Sequence, residues 1–378
     1  MSAIRPFRIA VPEAELIDLK SRLELTRFPE KETTDDWSQG IPLAYVRELV
    51  EYWRHEYDWR RAETRLNAHL GFKTNVDGLD IHFLHARSPH KGARALIMTH
   101  GWPGAIVEFL DIIGPLTDPV AYGGKAEDAF HVVCPSLPGY GFSDKPAVTG
   151  WKIAKIAKAW AEIMARLGYY RYFAQGGDWG SAVTNALATH DKAHCLGIHL
   201  NLVSLRLDTR SVEARDPLEK RGVESMKTYR RWESGYSKQQ STRPQTLGYA
   251  LVDSPVGQMA WIIEKFHAWT DCDGHPENAL TKDQMLDIVM MYWLNAAAAS
   301  SARLYWESFR EFSEGDVETP MGATIYPKEV FAPSRRWAEA RFKNIVYWNE
   351  RDKGGHFPAL EQPAGFVEEV RNCFRVMR

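Results

Sequence analysis

Residues 170–181 read Tyr170-Arg171-Tyr172-Phe173-Ala174-Gln175-Gly176-Gly177-Asp178-Trp179-Gly180-Ser181, and this stretch decides the fold. Its first half, YRYFAQ, is a compact run of strand type, and a helix is predicted from near Ser181. Between them one acidic residue, Asp178, has glycine two positions away on either side, at Gly176 and Gly180. Small residues there let a strained strand-to-helix turn hold the central side chain up above a sheet, the layout of a nucleophile elbow. An Asp at a helix start also serves as an ordinary cap. Glycine at both small positions favours the elbow.

Working outward, further β-type runs stand at 95–100 (ALIMTH), 130–136 (FHVVCPS), 195–200 (CLGIHL) and 344–349 (NIVYWN). Helical stretches separate them, such as Ile153, Ile156, Trp160, Ile163 and Leu167, closed by Gly168. Leu79, Ile81 and Phe83 alternate behind an Asp77-Gly78 turn signal, which predicts a hairpin. Short apolar runs between helices predict an α/β chain with a mostly parallel central sheet flanked by helices. From about Val203 to Gly315 the strand signals stop and the text turns charged, aromatic and helix-like, as expected of an inserted helical cap. At the N-terminus, Leu16, Leu19 and Leu23, then Val46, Leu49, Val50, Trp53 and Tyr57, form two apolar stripes that neither helix could bury alone. The predicted organisation is a helical strap over 1–70 packing on core and cap, a first core segment over 71–202, a cap or lid over 203–315 and a second core segment over 316–378.

Bulk properties exclude several classes. The 378 residues carry 47 basic and 49 acidic side chains without a long block of one sign, so a nucleic-acid partner is not expected. The N-terminus turns charged before any apolar run reaches the ~18 residues of a membrane span, and no membrane span or secretory leader is expected. Cys134, Cys195, Cys272 and Cys373 lie far apart without a CxxC pair, which argues against zinc or a disulfide framework and for the cytoplasm. Assembly as a homodimer is left open.

A carboxylate at an elbow restricts the chemistry. An Asp that attacks saturated carbon gives an alkyl ester, which a second step must hydrolyse, and this suits epoxides and alkyl halides. Hydrolysis needs a base. His356, in Lys353-Gly354-Gly355-His356-Phe357, lies just past the last predicted strand, in the chain order nucleophile, acid, histidine of the α/β-hydrolases. Glu329, Glu350 and Asp352 all precede it. Glu350 and Asp352 sit on the strand and loop of the histidine itself, whereas Glu329 can approach the far ring nitrogen from a neighbouring loop. After ALIMTH, the loop His100-Gly101-Trp102-Pro103-Gly104 is where this layout supplies one oxyanion-hole amide, the other coming from the residue after the nucleophile. Trp102 and Trp179 are therefore the predicted donors.

Taken together, HGWPG, PSLPGYGFSDKP, GGDWGS and RDKGGHFPALEQP resemble the microsomal-type epoxide hydrolases and their soluble bacterial and fungal relatives. The resemblance extends over nearly the whole chain, including the strap RPFRIAVPEAELIDLKSRLELTRFP. It implies the α/β-hydrolase fold with Asp178 as nucleophile, His356 as base and Glu329, in a YPKE segment, as the orienting acid. It also implies that Tyr236 and Tyr305 of the cap hold and protonate the epoxide oxygen, and that these phenols line the substrate site with Trp102 and Trp179. No metal or cofactor is expected; the partners are an apolar small-molecule epoxide and water. Two other readings stand beside this one: a haloalkane dehalogenase, which also uses an Asp-His pair on an alkyl ester, and a non-catalytic binder of apolar ligands on the same scaffold.

Overall fold

The computed structural model describes residues 3–208, 210–313 and 315–378. Its strands are β1 (Arg5–Pro6), β2 (Gly71–Val76), β3 (Leu79–Ala86), β4 (Arg94–Thr99), β5 (Phe130–Pro135), β6 (Tyr172–Gly176), β7 (Cys195–Leu200), β8 (Met321–Ile325) and β9 (Ile345–Glu350). They form one sheet in the order β1-β2-β3-β5-β4-β6-β7-β8-β9. The first three strands and the β3–β5 pair are antiparallel, and every pairing from β5 to β9 is parallel. The central strands carry uninterrupted apolar runs because helices cover them: Ala95–Met98 of β4 and Tyr172–Ala174 of β6 are all buried. This is the α/β-hydrolase fold.

The hairpin predicted at Asp77-Gly78 joins β2 to β3, with Asp77 and Gly78 both at positive φ. Two of the elements that the sequence reading lacked have a visible cause. One is β8, a five-residue strand, MGATI, whose brevity and early glycine hide it although every residue in it is buried. The other is a helix over Trp59–Ala68, whose many charges mask an apolar face of Trp59, Ala62 and Leu66. The helix after the elbow begins at Asp178 itself rather than near Ser181, because extended Gly177 already serves as its N-cap.

Residues 217–308 hold six α-helices among the described residues, the last two spanning Lys282–Trp293 and Ala298–Ser308. The N-terminal helices bind to this layer by polar contacts as well as apolar ones. Tyr57 donates to Asp287 at 2.7 Å and Tyr52 to Asp283 at 3.0 Å, both on the helix Lys282–Trp293. Arg22 donates to the carbonyl of Asp253 at 3.0 Å. The four cysteines are all buried free thiols. No helix among the described residues is long and apolar enough to cross a membrane.

Candidate active site

The parallel strands deliver their loops to one edge of the sheet, where ligands of open α/β sheets bind. Because β4 and β6 are neighbours, the HGWPG loop lies against the elbow. Because β8 and β9 are neighbours, the loop carrying Glu329 lies against the loop carrying His356. A further bridge between Lys328 and Gly355 extends that pairing, with the Lys328 amide donating to the Gly354 carbonyl at 3.1 Å. Sheet order therefore brings four loops from distant parts of the chain to one place.

At the elbow, Asp178 has φ of 47°, a left-handed conformation that costs a residue with a side chain about 1–3 kcal/mol. The glycines make it feasible: a Cβ at Gly176 would overlap the carbonyl of Gly180, and one at Gly180 would overlap the carbonyl of Thr99 at the end of β4. The raised carboxylate accepts a hydrogen bond from the Trp102 amide at Oδ1, at 2.8 Å. Its other oxygen, Oδ2, lies 3.5 Å from Nε2 of His356. The Trp179 amide sits in the first helical turn beside Asp178 and donates no hydrogen bond to this carboxylate. The two carboxylate oxygens thus have different surroundings, one held by an amide donor and one facing the histidine.

His356 is buried, and its Nδ1 meets Glu329 Oε1 at 2.5 Å. Glu350 and Asp352 are exposed and make no contact with His356, so of the three candidate acids only Glu329 meets the ring. Burial alone would favour a neutral ring, but Glu329 and Asp178 outweigh it and hold the His356 pKa well above that of an ordinary histidine. Backbone freedom places the ring: Gly354 adopts φ of 108°, and a Cβ on Gly355 would overlap the carbonyl of Trp269, to which the His356 amide donates at 2.8 Å. The helix Pro255–Trp269 is thus joined directly to the loop that carries His356.

Two phenols come from the cap. Tyr236 stacks on Trp102 with ring centroids 4.9 Å apart and an interplanar angle of 11°. Tyr305 stands edge-on to both Trp102 and Trp179, at 5.9 Å and 4.8 Å. Burial, then neighbouring phenols and Asp178, push both phenol pKa values well above the ordinary range, so each keeps its proton and can donate a hydrogen bond. The Tyr305 hydroxyl is buried without a hydrogen-bond partner, whereas the Tyr236 hydroxyl lies 3.2 Å from that of Tyr229. Together with Asp178, Trp179 and His356 these two phenols line a cavity of about 450 Å³, whose walls include Leu205, Phe309 and Phe312.

Three contributors were not singled out from the sequence. Tyr229 is the third phenol at this cavity; Trp269 packs its ring 5.0 Å from His356 and 5.2 Å from Tyr236; and Lys265 places its ammonium 4.8 Å from the Tyr236 ring centroid. Nothing local marks them among the chain's 15 tyrosines and 14 tryptophans. No cluster of metal-ligating side chains occurs among the described residues.

Residues 4–109 match the family described as "Epoxide hydrolase N terminus" and residues 94–230 the family "alpha/beta hydrolase fold". The chain is 56% identical over 376 residues to a Stigmatella aurantiaca protein named "Putative epoxide hydrolase", covering 99% of this chain and 86% of that one. It is 34% identical to Epoxide hydrolase 1 of Sus scrofa, over 98% of this chain and 88% of the relative. The crystal structure of the juvenile hormone epoxide hydrolase of Bombyx mori superposes with a TM-score of 0.91 at 31% identity, covering 100% of this chain and 95% of that one. The chain belongs to the microsomal-type epoxide hydrolase family and is an epoxide hydrolase of the α/β-hydrolase fold.

Proposed function

We propose that this enzyme opens an apolar epoxide through a covalent ester on Asp178 and then hydrolyses that ester with His356. The carrying observation is the unequal pair of carboxylate oxygens: Oδ1 is held by the Trp102 amide, as the carbonyl oxygen of an ester would be, and Oδ2 faces the histidine. Attack by Oδ2 on a ring carbon breaks the C–O bond and leaves an alkoxide, which Tyr305 and Tyr236 meet with their protons.

Proton accounting closes around His356. In the resting site two carboxylates flank the ring and favour its cationic form. Ester formation makes Asp178 neutral and removes one of those charges, so the ring releases a proton, which restores the phenol that protonated the alkoxide. Neutral His356, oriented by Glu329, then takes a proton from water as the water oxygen bonds to Cγ of the ester. The Trp102 amide stabilises the oxyanion, and the Trp179 amide, one residue past the nucleophile, completes the hole as the intermediate becomes tetrahedral. The Cγ–O bond to the substrate breaks, one water proton ends on the diol, and the other returns His356 to its cationic form.

The test is a single turnover in oxygen-18 water. The first diol is expected to be unlabelled and the label to enter Asp178; a first diol carrying solvent oxygen would exclude the ester. Tyr305→Phe and Tyr236→Phe are each expected to slow ester formation about 10²-fold and to leave ester hydrolysis unchanged. The loss should be larger at Tyr305, since Tyr229 can approach the oxygen when the Tyr236 hydroxyl is gone. Rapid-quench measurement of the two half-reactions checks this; a change confined to ester hydrolysis would remove the phenols from the first step. The four free thiols suit a reducing compartment, and we place the enzyme in the cytoplasm on that ground.

A further inference from the structure

Asp178 and His356 border two cavities. The larger one lies on the cap side and contains the phenols. The other, about 30 Å³, lies toward the sheet, where Thr99 and Gln175 end their strands, and it is also lined by Glu108 and Asn201. A space of roughly 10–15 Å³ or more holds a water molecule when two to four polar partners surround it. Here the partners exist. The Glu108 side chain is 8% exposed and accepts no hydrogen bond from any described residue. Oε1 of Gln175 is buried without a partner, while its Nε2 donates to Asn201 at 2.9 Å. A buried carboxyl that stabilises nothing through its own contacts is costly to keep, and such groups are satisfied by water or serve the reaction.

We infer that Glu108 is a positioning residue for ester hydrolysis: with Gln175 it holds the attacking water on the sheet side of Asp178, beside His356 and opposite the phenols. The inference rests on the covalent mechanism above. In that geometry the water reaches Cγ of the ester from the side that the substrate does not occupy, and Nε2 of His356 takes its proton. Burial, partly offset by His356 and reinforced by Asp178, pushes the Glu108 pKa up to about 8. Near neutral pH its carboxyl is therefore largely protonated, and it anchors the water by donating its O–H to the water oxygen, while Oε1 of Gln175 and Nε2 of His356 accept the two water protons and the second lone pair stays free to attack Cγ. Gly104 forms the opposing wall: a Cβ there would stand 2.8 Å from Oε2 of Glu108 and displace the carboxyl.

The experiment is rapid-quench kinetics with styrene oxide, with the ester followed by intact mass, on the unsubstituted enzyme and on Glu108→Met, Glu108→Gln and Gly104→Ala. In Glu108→Met and Gly104→Ala, ester breakdown is expected to slow about 10- to 100-fold, so that ester accumulates, while ester formation stays within about two-fold. Glu108→Gln keeps a neutral donor of the same shape and is expected to restore breakdown to near the original rate. Unchanged breakdown in Glu108→Met, equal slowing of both half-reactions, or a Glu108→Gln enzyme as slow as Glu108→Met would each overturn the inference. Should Glu108→Met not fold, Gly104→Ala decides by the same criteria. Failure of the covalent mechanism itself would look different, since no ester would then form in any of these proteins.

Discussion

An Asp178→Asn enzyme is expected to lose epoxide turnover by about 10⁴-fold or more. Asparagine matches the shape of the side chain and can still accept the Trp102 amide bond that Oδ1 receives at 2.8 Å. Its nitrogen, however, is no nucleophile toward a saturated carbon, and its neutrality removes one of the two charges beside His356. Folding should be preserved, because the left-handed conformation at this position suits Asn as well as Asp. The measurement is steady-state diol formation together with intact mass after incubation with excess epoxide. No adduct should appear on the variant. Activity above about a tenth of the original would show that water attacks the epoxide directly and that the elbow carboxylate plays a lesser part.

His356→Gln should stop the reaction at its midpoint. Ester formation needs a nucleophile and a proton donor for the alkoxide, which in the proposed mechanism are Asp178 and the phenols; ester hydrolysis needs a base, which glutamine is not. Breakdown is expected to slow about 10³-fold, within the usual range for loss of a general base. The protein mass should then rise by the mass of one substrate molecule, and digestion should place the addition on the peptide containing Asp178. This result separates an epoxide hydrolase working through an ester from a scaffold that merely binds epoxides. An inactive variant whose mass never changes would refute the two-step route. The same variant isolates the first half-reaction, so the phenol substitutions can be measured in its background without interference from turnover.

The parts of this site that were legible in the sequence are the ones set by local backbone demands. Gly176 and Gly180 flank Asp178 because neither position has room for a Cβ, and that requirement shows wherever the chain is read. The HGWPG loop and the Gly354-Gly355-His356 turn are visible for the same reason, and the alternation of apolar runs with helical stripes is enough to indicate a covered parallel sheet. The short strand β8 was less visible, since five residues that include a glycine carry little periodic signal.

Tertiary structure decided which distant residues act together. Glu329 reaches His356 because β8 and β9 are neighbours in the sheet, an adjacency that no local pattern encodes. Tyr236 and Tyr305 had only a family resemblance to mark them; it is the folding of the cap across the strand ends that sets their rings against Trp102. Glu108, a lone acid in the apolar run Ile106-Val107-Glu108-Phe109-Leu110, faces Gln175 only once β4 and β6 pair. Sequence by itself determined the turns, because a turn is a property of a few consecutive residues. The distances between turns belong to the packed sheet and its lid, because they arise from contacts between residues far apart along the chain.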